Sequence, residues 1–208
     1  MQVIKEVCVD SLEDALKAEK NGANRIELCG RVDLDGLTPS RDLIRNAVSI
    51  LKIPIRVMIR PKHPSFQYSE DEMNTMIDDI EFCKSFGLDG VVFGCLDENS
   101  NFKMDQINRL SKIAKPLKVI IHKAIDYTNS VTDSLSLLST NSNINGVLTS
   151  GGERFATNAV ETLKKMLVLV PDRFEIIIAG GITFENFESL HARINGGFYH
   201  GKKIINIK

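Results

Sequence analysis

The chain has 208 residues, 43% of them apolar and 25% charged, and a formal net charge of -1. That is the composition of an ordinary globular protein. The basic residues are scattered, which excludes a basic nucleic-acid face. No stretch reaches the roughly 18 apolar residues that span a bilayer. Neither nucleic acid nor membrane is therefore expected as a partner. The opening residues carry no secretory pattern, so a cytoplasmic location is expected, and with it four free cysteines. No Cys-x-x-Cys pair is present, which argues against a closed structural zinc site.

The chain alternates strand and helix patterns from end to end. A first strand, about 2–9, leads to Ser11 as N-cap and the helical run "SLEDALKAEKNG", with Gly22 as the stop. "NRIELC" is the second strand, and a helix follows from Pro39-Ser40. "PIRVMIR" is the third strand. The next helix starts at Ser69, with Glu72 completing a capping box, and ends at Gly87. "DGVVFGC", "LKVIIHK", "NGVLTS" and "FEIIIAG" are strands four to seven, followed by helices at about 104–114, 130–139, 156–169 and 184–193. "GGFYHG" is a short last strand. Strands separated by helices pair in parallel through right-handed crossovers. Eight such strands, with no G-x-G-x-x-G after any of them, predict one α/β domain over 1–208: a (β/α)₈ TIM-type barrel. The barrel is short, and only "KKIINIK" follows the last strand, so its eighth helix is missing or vestigial.

Active sites of such barrels sit at the C-terminal ends of the strands. Two strands end in the same Glu-x-Cys pattern, Glu6-Val7-Cys8 and Glu27-Leu28-Cys29. Alternate strand residues share a face, so each carboxylate lies beside its thiol. The third strand places Arg56, Met58 and Arg60 on one face. His122 and Asp126 close the fifth, and His200 the eighth. Two readings apply to these groups. Buried charges pair for structural reasons, so Glu6 and Glu27 could neutralise Arg56 and Arg60. Alternatively, Arg60, His122, Asp126 and His200 furnish a site, because they gather at the catalytic end. The thiols are either small core residues, soft-metal ligands for Cu(I), or an activated nucleophile. Cys83 and Cys95 read as packing. Gly151-Gly152 and Gly180-Gly181 are either tight turns or an anion cradle at helix entrances. The loop "RPKHPSFQYSEDE" is either a lid over the mouth or a packed surface loop.

The motifs "EVCVDS", "GANRIELC", "GLTPS", "VMIRP", "FQYSEDE", "DGVVFG", "IHKAIDY", "LTSGG" and "GGIT", in this order, resemble the CutC family, named for copper homeostasis. The resemblance covers nearly the whole chain. It implies a TIM-type barrel, a cytoplasmic location and a role in copper handling. The family's proposed Cu(I)-binding thiols fall on Cys8 and Cys29. Its polar mouth falls on Glu6, Glu27, Arg60, His122, Asp126 and His200. The chain departs from the family where His-Arg-Ala-Phe-Asp becomes His122-Lys123-Ala124-Ile125-Asp126, which removes the planar fork of Arg. The Arg-Pro-Arg-Gly-Gly segment becomes Arg60-Pro61-Lys62-His63-Pro64.

Two functions follow. The first is a copper-homeostasis protein holding Cu(I) on Cys8 and Cys29. The second is an enzyme acting on a small anionic or phosphorylated molecule. In it, Arg60, Gly151, Gly180, Gly181, Glu6 and His200 hold the ligand, His122 is the acid or base, and Asp126 or Glu27 orients it. A homodimer is also expected. Without an eighth helix, Val3, Val7 and Phe198 or Tyr199 would form an uncovered apolar patch.

Overall fold

The computed structural model describes residues 3–206. Eight parallel strands close into a barrel in sequence order: β1 (Ile4–Val9), β2 (Arg25–Leu28), β3 (Ile55–Met58), β4 (Gly90–Phe93), β5 (Lys118–Ile121), β6 (Gly146–Thr149), β7 (Glu175–Ile178) and β8 (Phe198–His200). Seven helices run outside: α1 (Leu12–Lys20), α2 (Arg41–Ile50), α3 (Glu70–Lys84), α4 (Met104–Ala114), α5 (Val131–Ser139), α6 (Val160–Leu169) and α7 (Phe184–Ile194). The helix starts follow their caps. Ser11, Ser40, Ser69 and Ser130 each accept a hydrogen bond from a first-turn amide, and Ser69 and Glu72 form the expected capping box. Gly22 and Gly87 adopt left-handed backbone after α1 and α3, where a side chain would be strained.

The period-two alternation of the strands divides the core in two. Val7, Ile26, Leu28, Val57, Val91, Phe93, Val119 and Ile121 face outward against the helices. Met58, Val92, Ile120, Leu148 and Ile177 face inward with Cys8 and Cys29. Gly146 begins β6 because its Cα faces the backbone oxygen of Glu175 on β7, leaving no room for a Cβ.

The end of the chain differs from the expectation. Among the described residues no helix follows β8, but the outer strand faces are covered. Val7 and Tyr199 are fully buried. Tyr199 packs on Phe187 of α7 and its hydroxyl meets His191. Ile204 and Ile205 are buried as well, because Lys203 pairs with Thr183 and accepts from the Phe184 amide. Val3 is half-buried against the main core, and Phe198 packs with the inner cluster instead of lying outside. The uncovered patch that motivated the homodimer is therefore absent at these residues.

Candidate functional site

The strand register brings the two Glu-x-Cys segments together. Cys8 lies opposite Glu27, and Glu6 lies opposite both Arg25 on β2 and His200 on β8. The two sulfurs stand 3.3 Å apart. The Cys29 thiol also points at Glu27 Oε1, at 3.3 Å. His200 Nδ1 is 2.8 Å from Glu6 Oε1 and 3.9 Å from Glu27 Oε2. Two triplets of candidate metal ligands result, Cys8–Glu27–Cys29 and Glu6–Glu27–His200, each with its ligand atoms within 4.8 Å of one another. Glu27 belongs to both, and its buried Oε2 has no hydrogen-bond partner among the described residues.

Burial divides the protons unequally. The hydrogen bond from Cys29 lowers the Cys8 thiol to about 5 against the effect of burial, and His200 helps. Cys29 is pushed well above the usual thiol range by that same bond and by burial. Burial raises Glu27 to about 8, so it is largely protonated at neutral pH. Burial would raise Glu6 too, but Arg25, His200 and Arg56 hold it well below the usual carboxylate range. Burial works against a charged His200, yet Glu27, the Cys8 sulfur and Glu6 raise it well above the ordinary histidine range. The shifts run in the direction of a thiolate on Cys8 beside a charged His200.

Below this layer lies a second set of buried charges. Arg25 pairs with Glu6 and, at 3.2 Å, with Glu175. Arg56 reaches Asp89 at 2.7 Å, Glu175 at 2.9 Å and Glu6 at 3.8 Å. The exposed Lys118 closes the set from outside on Asp89 and Glu175. Arg56 is thus neutralised as expected, but Arg25, Asp89 and Glu175 were not singled out in the sequence. Each sits at the N-terminal end of a strand, or next to it, and reads there as a loop charge. The available signal was parity, since Arg25 shares a face with Glu27.

The remaining mouth residues take other roles than expected. Arg60 meets neither Glu6 nor Glu27. Its guanidinium donates to the carbonyls of Leu34, Asp35 and Gly36 at 3.3–3.4 Å and to that of Pro64, and it lies over the Phe66 ring. It thereby fixes the loop after β2, whose Gly36 lies against the Cys29 sulfur. His122 is buried, and burial followed by the charge of Arg60 lowers its pKa to about 3. Its Nδ1 accepts from the Ala124 amide, so a backbone group orients it, and neither Asp126 nor Glu27 does. Its Nε2 is buried without a hydrogen-bond partner among the described residues. Asp126 instead accepts from the Thr149 hydroxyl, the Ser150 amide and hydroxyl, and the Gly152 amide. The Gly151 amide is taken by Thr149. The turn after β6 therefore already holds an anion, the protein's own. Lys123 donates to Ser150 Oγ and lies 3.6 Å from Asp126, as a point charge and not a fork. Gly180 and Gly181 adopt left-handed backbone, and their amides make no hydrogen bond among the described residues. The loop 61–69 packs over the mouth side, with Phe66 against His122 at 4.8 Å.

The CutC family model matches residues 3–205. The chain belongs to the CutC family. A human relative named copper homeostasis protein cutC homolog is 36% identical over 187 residues, 90% of this chain and 68% of its own length. An Aliivibrio fischeri family protein CutC is 38% identical over 192 residues, 91% of this chain and 77% of its own. The crystal structure of a Streptococcus agalactiae protein assigned to CutC superposes with a TM-score of 0.91 at 26% identity, covering 98% of this chain and 100% of that one. A Bacillus anthracis dihydrodipicolinate synthase reaches 0.67 at 15% identity, covering 96% and 69%, and shares the barrel fold alone. No helix among the described residues of this CutC-family chain is long and apolar enough to cross a membrane.

Proposed function

We propose that this CutC-family protein serves copper homeostasis by binding Cu(I) on Cys8 and Cys29 in the cytoplasm. The observation that carries the reading is the sulfur pair, 3.3 Å apart, backed by the unpartnered Glu27 oxygen. Two soft sulfur donors select Cu(I) over harder ions, and a reducing compartment keeps both thiols and metal in the required state. His200 stands where its positive charge would balance the thiolates, and the Cys29 thiol already faces Glu27 Oε1. The test is anaerobic Cu(I) titration against a weaker and a stronger chelator. The Cys8→Ser, Cys29→Ser double variant is expected to bind at least about 100-fold more weakly, a loss of about 2.7 kcal/mol. Equal affinity overturns the reading.

A second reading rests on His122. Its buried, unpartnered Nε2 and the unengaged Gly180 and Gly181 amides suit a small organic anion. A thermal-shift screen of carboxylates and phosphate esters tests it. Stabilisation by an organic anion that disappears in His122→Phe supports an enzyme of that class. No organic anion shifting the transition counts against it. We also propose a homodimer, for which Leu137 of α5 and Val168 and Leu169 of α6 are among the exposed large apolar residues. Sedimentation that shows only a 23.2 kDa species at all concentrations excludes a homodimer.

A further inference from the structure

We propose that Cys8 and Cys29 are an oxidation site, which a hydroperoxide closes to a disulfide and which thereby switches off metal binding. The oxidation step stands on geometry alone; only the consequence for copper rests on the reading above.

A disulfide has a sulfur–sulfur bond of about 2.05 Å, so sulfurs already at 3.3 Å need to approach by only about 1.3 Å. Cys8 is held within β1, but Cys29 lies one residue beyond β2 and is followed by Gly30 and the loop fixed by Arg60. The movement can be taken up at that end. Cys8 is the more accessible member, 8% exposed against 0% for Cys29, and this sets the order of events. So slight an exposure admits only a small oxidant, and hydrogen peroxide is one. The other two cysteines do not compete. Cys83 lies inside α3 and Cys95 beyond β4, and both are fully buried in the outer core.

The step balances as follows. The Cys8 sulfur attacks one peroxide oxygen and the O–O bond breaks; the departing hydroxide takes up the proton that the Cys8 thiol gave up and leaves as water. Cys8 becomes a sulfenic acid. The Cys29 sulfur then attacks the Cys8 sulfur and the S–O bond breaks. The hydroxyl leaves as a second water, taking the Cys29 proton by way of Glu27 Oε1, which that thiol already faces at 3.3 Å. Two thiols lose two electrons and one peroxide becomes two waters. The disulfide has no thiolate left for a soft metal.

The test treats reduced, metal-free protein with stoichiometric hydrogen peroxide and reads intact mass and peptide maps. The expected product is a monomeric chain lighter by about 2 Da, with the Cys8 and Cys29 peptides linked. A Cys83→Ala, Cys95→Ala variant is expected to give the same loss. Cys29→Ser is expected to stop at a sulfenic acid on Cys8 that dimedone traps. Sulfinic acid on Cys8 of the unsubstituted protein, linkage between chains, or linkage through Cys83 or Cys95 overturns the oxidation site. Anaerobic Cu(I) titration of the oxidised protein, before and after thiol reduction, then tests the switch. At least a 100-fold weaker affinity, restored on reduction, is expected. Oxidised protein that binds as tightly as reduced protein overturns the switch but leaves the disulfide standing. Reduced protein that binds no Cu(I) overturns the copper reading alone.

Discussion

Two layers of ionisable groups, most of them buried, cross this barrel, and they are built differently. The lower layer sets three cations, Arg25, Arg56 and Lys118, against three carboxylates, Glu6, Asp89 and Glu175. The upper layer holds two thiols, His200 and Glu27; both layers leave buried polar atoms without a hydrogen bond among the described residues, but Glu27 has its nearest cation, His200, only at 3.9 Å. Charges matched one for one are the signature of a fold that must bury them. Thiols, an imidazole and a carboxyl with shifted pKa values, gathered at the C-terminal ends of the strands, are the signature of a ligand site. Glu6 stands in both layers, with one oxygen on Arg25 and the other on His200.

The contrast predicts unequal effects. The largest is expected for Arg56→Met in the lower layer, which leaves Asp89, Glu175 and Glu6 short of a cation. Urea denaturation is expected to show a loss of about 3–5 kcal/mol. The Cys8→Ser, Cys29→Ser variant in the upper layer is expected to lose only about 1–2 kcal/mol of stability. Comparable losses from both would break the distinction between the layers.

His122 sharpens it from the side. The folded pKa of about 3 lies below the ordinary histidine value of 6.5, so the unfolded chain takes up a proton that the folded one refuses. Stability is then fully present above pH 6.5 and falls as pH drops toward 3. The loss is about 1.4 kcal/mol per pH unit, or about 2 kcal/mol at pH 5. His122→Gln has no such proton, so its stability curve is expected to be flatter between pH 5 and 6.5. Parallel curves would mean that His122 is not held neutral.

The smallest effect is expected for Arg60→Gln. Its bonds to the Leu34, Asp35 and Gly36 carbonyls are long, 3.3–3.4 Å, and together are worth about 1 kcal/mol. Faster amide exchange confined to residues 34–37 and faster alkylation of Cys29 are the expected readouts. Unchanged exchange there would show that the loop holds itself.

The order of elements was legible because it is written in local chemistry. Serine caps, a Ser69–Glu72 box and two-residue alternation fix where each element starts and which way it faces. The thiol pair was legible for the same reason, since Glu-x-Cys repeats at two strand ends. What escaped were partnerships across the barrel. Nothing near Asp126 in the chain says that its carboxylate fills the turn after β6, more than twenty residues on. Nothing near Arg60 says that it holds carbonyls and not a carboxylate. The expected pairing of Glu6 with Arg56 was correct, but its stronger partner, Arg25, needed the β1–β2 register. Burial of Ile204 and Ile205 likewise depends on Lys203 finding Thr183.

The Glu6–His200 contact joins residues 194 positions apart. It lies on the seam where β8 meets β1, the longest loop closure the barrel makes. Closures of that span come late, because their entropy must be met before their contacts form. An emerging polypeptide would display both thiols long before the histidine arrives to complete the constellation. The ligand site therefore reports that the seam of the barrel has closed. A ligand that engages both edges of the seam would, by mass action, favour closed barrels over open ones.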